Sequence, residues 1–148
     1  MRETFLLDRN SSRIRRHMNN HPLEIILARH FADNLSLAAF ITNEEGDLIF
    51  YNESAEEILG KRYEETGPMP LLSWASIFKP TDSEGRELPP EKLPLVKTLE
   101  GRKPAHGSFW IENLLNEKFF LFVSSFPIIG RNDSFLGAMA IFWKEDES

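Results

Sequence analysis

The order of five short apolar runs constrains what this chain can fold into more than any other feature of its sequence. Two runs come first, a segment rich in prolines and turn residues follows, and three runs end the chain. The runs are residues 37–43, 48–51, 106–112, 118–126 and 135–144. A doubly wound fold needs a helix between nearly every pair of strands. The order therefore predicts an α+β domain with an antiparallel five-stranded sheet.

Short joins support this prediction. Residues 44–47 suit a tight turn in which Gly46 takes a positive φ at no steric cost. The last three runs are joined by residues 113–117 and 130–134, which are also of hairpin length. Consecutive strands within each group are therefore expected to pair antiparallel.

Short helices are predicted between the two groups of strands. The run after Asn52 reads ESAEEILG and ends at Gly60, a residue that commonly stops helices. Further helices are predicted at residues 72–78 and 91–100, the second opened by a Pro-Pro pair and closed by Gly101.

An amphipathic helix is predicted before the first strand, over residues 22–33. Its apolar residues recur at i, i+3, i+4 and i+8, and a proline occupies its first turn. These residues are Leu23, Ile26, Leu27 and Phe31. The preceding residues 1–21 read as a polar leader, either a short helix or disordered. The predicted domain therefore spans residues 22–148.

Composition narrows the classes of function. With 148 residues, 41% of them hydrophobic, the chain suits one compact domain. A net charge of -6 argues against binding to nucleic acid or to an anionic membrane surface. The chain has no cysteine, which excludes a cysteine-linked flavin or chromophore and any thiolate metal site. The sequence contains neither a signal peptide nor a run of about 18 apolar residues, so a cytoplasmic location is expected.

Three stretches resemble the PAS domain family. Residues 41–60, ITNEEGDLIFYNESAEEILG, are similar to its first hairpin, which runs through an asparagine into a short helix. Residues 88–111 resemble the segment of proline, helix and glycine before its third strand, and residues 124–143 resemble its last hairpin. The resemblance covers about residues 31–144.

The resemblance implies a curved sheet in strand order 2-1-5-4-3, with the helices closing a pocket over its concave face. The family uses this pocket for haem, flavin, other chromophores or small metabolites, and it uses the sheet and flanking helices to dimerise and pass on a signal. The resemblance also implies a structural role for Asn52 at a strand-to-helix junction, where its side chain can bond to local backbone. The resemblance does not identify which ligand an individual member of the family binds.

The implied pocket is predicted to be mostly apolar with a few hydroxyl groups, which suits a small hydrophobic or weakly polar ligand and not a phosphorylated one. Its predicted lining is Phe40, Trp74, Leu93, Val96, Phe109, Phe122, Ser124 and Ala140. The sequence does not determine which face of each strand lines the pocket, because a shift of one residue exchanges the two faces.

The histidines and serines argue against haem, metal binding and catalysis. The helix predicted at residues 91–100 has no histidine to ligate haem iron, and His106 after it suits an ordinary strand residue. No G-x-S-x-G elbow surrounds Ser108 or the serine pair at 124–125, and the sequence contains no phosphate-binding loop motif. We therefore expect no metal site and no enzyme activity, with a small α+β enzyme as the least favoured alternative.

The last group of strands is apolar on both faces. Residues 118–126 read KFFLFVSSF, whereas a strand with one face in water alternates apolar and polar residues. The second face therefore needs a cover, either the N-terminal helix or a second copy of the chain. The residues predicted for a dimer interface are Leu23, Ile26, Leu27, His30 and Phe31. The alternative is a monomer whose helix folds back on its own sheet.

These observations predict a non-catalytic, PAS-like sensory module in signal transduction, which binds a small apolar ligand, a protein partner or both, and which dimerises. Its output is expected from a signalling partner or from a domain outside this chain. The alternative is a structural interaction domain whose core is filled by its own side chains.

Overall fold

The computed structural model describes residues 21–145, so the prediction for the leader lies almost entirely outside the described residues. The helices are α1 (Leu23–Asp33), α2 (Glu53–Leu59), α3 (Tyr63–Thr66), α4 (Leu71–Ile77) and α5 (Pro94–Gly101). The strands are β1 (Ala38–Asn43), β2 (Leu48–Tyr51), β3 (Ala105–Glu112), β4 (Lys118–Ile129) and β5 (Phe135–Lys144). No helix between residues 21 and 145 is long and apolar enough to cross a membrane.

The five strands form one antiparallel sheet in the order β2-β1-β5-β4-β3. This order confirms the predicted α+β class and the predicted topology. The central strand β5 approaches β1 closely at Gly137, whose φ is +154°. A Cβ atom there would collide with the carbonyl oxygen of Thr42 on β1. The close pairing of these two strands therefore requires glycine at this position.

A cluster of aromatic rings joins the inner face of the sheet to the helical layer. The ring of Phe40 on β1 lies 5.5 Å from that of Tyr51 and 5.3 Å from that of Phe142, between ring centres. It also meets the indole of Trp74 on α4 edge to face at 6.4 Å. Edge-to-face and offset contacts of this kind add to the energy of burial. The inner face is therefore the side on which α4 packs.

Helix α1 packs on the opposite, outer face of the sheet. Its Ile25 and Ala32 are fully buried, and the guanidinium of Arg29 lies 4.6 Å from the ring centre of Phe50 on β2. The helix contacts β1, β4 and β5. The outer-face residues buried along these strands are Ala39, Ile41 and Met139. The N-terminal helix therefore covers part of the second apolar face.

The buried face of α1 is not the stripe that the sequence predicted. Leu23, Leu27 and Phe31 are 65%, 55% and 54% exposed, whereas Ile25 and Ala32 are inaccessible. Alanine brings the helix backbone close to the sheet, so close packing, and not side-chain hydrophobicity alone, selects the buried face. The stripe is left facing solvent.

The helix predicted at residues 91–100 is divided. Residues Pro90–Lys92 form a single 3₁₀ turn, and α5 begins at Pro94. Proline lacks an N–H and its ring clashes with a preceding helical turn, so Pro94 fits only at the start of a helix. Gly101, predicted to close the helix, is its last residue, and Arg102 with a φ of +57° takes the left-handed capping position.

Loop residues pair with the outer edges of the two edge strands. Met69 pairs with Leu48 on β2, and Thr81 pairs with Trp110 on β3. The N–H of Thr81 donates to the carbonyl of Trp110, and the N–H of Trp110 donates back, both at 2.9 Å. These pairings give hydrogen-bond partners to some of the backbone N–H and C=O groups along each edge strand. They also hold the loop that contains Pro80 against the sheet.

Candidate functional site

A small cavity lies between the inner face of the sheet and the helices. Its volume is about 70 Å³. The residues that line it are Phe40, Leu59, Trp74, Ala75, Phe78, Pro80, Leu93, Pro94, Leu95, Phe109, Ile111, Leu121, Val123, Ala140 and Phe142. All of these side chains are apolar apart from the indole N–H of Trp74. The cavity therefore offers van der Waals contact and no charged group.

A hydrogen bond outside the cavity positions Trp74. Its indole Nε1 donates to the carbonyl oxygen of Gly46 at 2.8 Å, in a buried position. Gly46 lies in the turn between β1 and β2 with a φ of +89°, a conformation that suits glycine. One wall of the cavity is thus tied to the first hairpin of the sheet.

A buried pair of hydroxyl groups holds α5 on the sheet. The Oγ1 of Thr98 and the Oγ of Ser125 on β4 lie 2.7 Å apart, and both residues are inaccessible to solvent. The Ser125 hydroxyl also donates to the carbonyl of Ala105 at 3.2 Å. Because this serine proton goes to Ala105, Thr98 donates to Ser125 and both hydroxyl protons have acceptors. Neither hydroxyl lines the cavity.

Asn52 joins α1, β1 and α2 through a single buried amide. Its Oδ1 accepts hydrogen bonds from the N–H groups of Ala39 and Ala55, each at 3.0 Å. Its Nδ2 donates to the carbonyl oxygens of Ala32, at 2.8 Å, and Leu37, at 3.0 Å. The bond from Ala55 makes Asn52 the N-cap of α2. Every hydrogen-bonding position of the amide is occupied.

Asn113 holds the other end of α2. Its Nδ2 donates to the carbonyl oxygen of Ile58 at 2.9 Å, and the N–H of Leu114 donates to the carbonyl of Leu59 at 3.1 Å. Both acceptors belong to the last turn of the helix, where backbone carbonyls lack helical partners. The cavity residue Leu59 is therefore fixed to the turn between β3 and β4.

A row of aromatic side chains crosses the outer face beyond α1. It consists of Trp110 on β3, Phe120 and Phe122 on β4, and Trp143 on β5, with successive ring centres 5.3, 5.5 and 6.1 Å apart. Trp110 and Trp143 are each 39% exposed. We call these four residues the aromatic row. A contiguous exposed apolar patch of this kind is typical of an interaction surface.

The exposed residues of α1 form a second apolar surface, which we call the helix stripe: Leu23, Leu27 and Phe31. Glu24 of the same helix lies beside Gly130 in the β4–β5 turn. Phe31 follows Glu24 by seven residues, about two helical turns, so both lie on the same side of the helix. Because α1 packs on the outer face of the sheet, the helix stripe and the aromatic row both lie on the outer side of the protein.

Comparison with known proteins gives matches among solved structures alone. No protein-family model matches the chain, and no curated protein sequence matches it. The PAS domain of a Colwellia psychrerythraea protein aligns with a TM-score of 0.59 at 17% identity, covering 83% of this chain and 99% of that one. The chain has the PAS fold.

Two further solved structures share the PAS fold with this chain. The Rhodobacter sphaeroides LOV protein aligns with a TM-score of 0.66 at 13% identity, covering 86% of this chain and 70% of that one. The LOV domain of a blue-light activated histidine kinase from Erythrobacter litoralis aligns with a TM-score of 0.58 at 14% identity, covering 77% and 100%. At these identities the likeness is one of fold.

Within this PAS fold, the structure brings together five of the eight residues predicted to line the pocket. They are Phe40, Trp74, Leu93, Phe109 and Ala140. Phe122 and Ser124 lie on the outer face instead, because Phe109 is paired with Leu121 and successive strand residues point to opposite faces. Val96 is buried on α5 but does not line the cavity. Binding of a ligand by these residues stays a prediction.

The sequence did not indicate several other lining residues. On β4 the prediction chose Phe122 and Ser124, whereas the lining residues are their neighbours Leu121 and Val123, which point to the opposite face of the strand. Phe78 and Pro80 follow α4 in a connecting segment, where periodicity carries no information about direction, and Leu59 is the last residue of α2. Their apolar character was the one available signal.

The predicted interface residues lie on α1 with different exposures. His30 is exposed with the helix stripe, whereas Ile26 is half-buried. His106 is exposed on β3 and does not line the cavity. Among residues 21–145 no group of three or more histidine, aspartate or glutamate side chains is placed to hold a metal ion.

The cavity does not fit the large cofactors that the family resemblance suggested. A flavin ring carries carbonyl and N–H groups, which cost free energy when buried without partners. The single polar atom among the lining side chains, Trp74 Nε1, already donates to Gly46. Haem iron needs a histidine, cysteine, methionine or tyrosine ligand, and none lines this cavity.

Proposed function

We propose that this chain is a non-catalytic sensory module in signal transduction, which binds a small apolar ligand and passes a signal through protein contacts. One observation carries the proposal: β4 forms part of the cavity and of the exposed surface at once. Its Leu121 and Val123 line the cavity, while its Phe120 and Phe122 belong to the aromatic row. A change in the packing around the cavity therefore acts on the same strand that presents the outer surface.

The structural neighbours support this proposal at the level of fold. One of them is named as part of a blue-light activated histidine kinase, a signalling protein. We propose a similar setting here, with a signalling partner or an output domain outside this chain and a cytoplasmic location. Fold alone does not specify function, so the proposal depends on the cavity and the exposed surfaces of this chain.

We propose further that the module is a homodimer. The helix stripe and the aromatic row are both apolar, and both lie on the outer side of the sheet. A two-fold axis can place the helix stripe of one copy on the aromatic row of the other, and the same contact then occurs twice. This contact would cover the part of the outer face that α1 leaves exposed. The principal alternative to this dimer is a monomer, because association costs translational and rotational freedom.

Light scattering of the purified protein tests the dimer. We expect a dimer for the wild type and a folded monomer for the double variant Leu27→Glu with Phe31→Glu. Both side chains are more than half exposed, so the charges should not disturb the core. The matched control is Leu72→Glu on α4, since Leu72 is 72% exposed on another part of the surface. A wild type that stays monomeric at high concentration contradicts the proposed dimer.

A second candidate function is supported by the small size of the cavity. Ligand pockets usually enclose about 300–1,000 Å³, and this cavity encloses about 70 Å³. A domain whose own side chains fill its core would act through its surface alone, as a structural interaction domain. Native mass spectrometry and a thermal-shift screen of hydrophobic metabolites distinguish the two functions. A protein that is never found with a ligand, and that no metabolite stabilises, supports the interaction domain.

A further inference from the structure

We infer that the ligand of the cavity is a compact apolar molecule of a few heavy atoms, such as a diatomic gas or a short hydrocarbon, which enters past Ala75 and Pro80. This inference rests on the proposed ligand-binding role of the cavity. It deepens that proposal by naming the size, the polarity and the route of the ligand, and it excludes planar cofactors from the site.

The size of the cavity sets the upper limit on the ligand. An engineered apolar cavity of about 150 Å³ takes up benzene or xenon. The present cavity has about 70 Å³, about half of that volume. A molecule much larger than xenon must therefore displace aromatic side chains that pack against one another, among them Phe40, Trp74 and Phe142. Close-packed interiors resist such displacement.

The lining sets the polarity of the ligand. Trp74 uses its N–H in the bond to Gly46, and the buried hydroxyls of Thr98 and Ser125 bond to each other away from the cavity. A polar ligand would lose its hydrogen bonds to water and gain none. Apolar cavities without polar partners do not retain water either. An apolar ligand therefore meets no competitor inside the cavity.

A depression on the surface indicates the route to the cavity. It has a volume of about 160 Å³ and is lined by Ser76, Glu87, Leu88 and the Pro89-Pro90 pair, together with Ala75 and Pro80. Ala75 and Pro80 also line the cavity, so the cavity and the depression adjoin at these two residues. Ala75 contributes one methyl group to this shared boundary. The N–H of Leu88 donates to the carbonyl of Pro80 at 2.9 Å and holds the other side in place.

A series of ligands of increasing size tests the inference on the wild-type chain. Methyl NMR spectra are recorded with xenon, cyclopropane, benzene, naphthalene and flavin mononucleotide. We expect saturable shifts of the Leu59, Leu93, Val123 and Ala140 methyls with xenon and cyclopropane, at least tenfold weaker binding of benzene, and no binding of the last two. Tighter binding of naphthalene or the flavin than of cyclopropane overturns the inference. Absence of any saturable shift with xenon overturns it as well.

Two variants test the cavity and the route separately. Ala140→Val fills the cavity and should abolish the xenon shifts, whereas Ser76→Trp covers the depression and should slow xenon exchange at least tenfold with little change in affinity. Leu72→Trp, on the same helix but outside the depression, is the matched control for the second variant. Equal exchange rates in the two tryptophan variants overturn the proposed route. The dimer is measured independently, so failure of these tests leaves the proposed signalling surfaces to be judged by light scattering.

Discussion

The side-chain amide of Asn52 donates a hydrogen bond of 2.8 Å to the carbonyl oxygen of Ala32. Ala32 is a fully buried residue in the last turn of α1. This bond attaches the helix that carries the helix stripe to the junction between β2 and α2. The position of the exposed stripe therefore depends on a specific polar contact as well as on apolar packing.

Asn52→Ala should lower the free energy of unfolding by about 2 to 3 kcal/mol, because two buried N–H groups lose their acceptor and the Leu37 carbonyl loses its donor. The Ala32 carbonyl keeps a hydrogen bond from the N–H of Leu35 at 3.1 Å. Urea unfolding followed by fluorescence measures the change. The matched control is Asn34→Ala, which removes an exposed bond from Nδ2 to the carbonyl of His30 and should cost less than about 1 kcal/mol. Identical midpoints for the wild type and Asn52→Ala would contradict this role.

Gly137→Ala should be strongly destabilising, by about 3 kcal/mol, since the added Cβ collides with the Thr42 carbonyl and the φ of +154° is strained for alanine. The control is Gly101→Ala at the end of α5, where an added Cβ meets nothing within 4 Å. Alanine favours the helix, so this variant should gain up to about 1 kcal/mol. Thermal unfolding of both proteins checks the opposite signs, and equal melting temperatures would refute the steric argument.

Ala140→Val should stabilise the chain by about 1 kcal/mol, because its two additional methyl groups occupy existing apolar space at about 0.8 kcal/mol for each buried carbon. Ala138→Val makes the same change two residues earlier on the same strand face, where Ala138 is fully buried but does not line the cavity. Overpacking there should cost about 1 to 3 kcal/mol. The prediction fails if the two variants have the same unfolding midpoint.

Cysteine cross-linking should reveal how two copies meet, and the absence of native cysteine leaves no background. A mixture of Leu27→Cys and Ser124→Cys proteins should form a mixed disulfide, because the helix stripe of one copy is expected beside β4 of the other. Leu72→Cys mixed with Ser124→Cys serves as the control and should not cross-link. Efficient self-linking of Leu27→Cys alone would indicate that the two helices pack against each other instead.

Both tyrosines should ionise at unusually high pH. Burial raises the pKa of Tyr63 well above its ordinary value of 10, and burial is also the main cause of the raised pKa of Tyr51. A raised folded pKa favours the neutral phenol, so its contribution to stability is complete below pH 10 and is lost as pH rises further. Tyr63→Phe should lessen this alkaline loss. Absorbance titration of the folded protein at alkaline pH measures the pKa values of the two phenols. Ordinary values for both would contradict this prediction.

Interactions between residues close in sequence could be predicted without the structure. The turn at Gly46, the end of α2 at Gly60 and its beginning at Asn52 depend on backbone geometry over a few residues. The antiparallel pairing within each group of strands follows from the short joins between them. The place of Asn52 at this junction was implied by the family resemblance, but its bond to Ala32 joins residues that are twenty positions apart.

The faces of β4 and α1 were decided by the tertiary structure. The run KFFLFVSSF is apolar at both parities, so the pairing of Phe109 with Leu121 determines which residues line the cavity and which form the aromatic row. On α1 the small side chain of Ala32 allows close packing, and the more hydrophobic Leu27 is left in solvent. Hydrophobicity measures the gain from burial, whereas the choice between two apolar faces depends on shape, which exists only after distant segments have met.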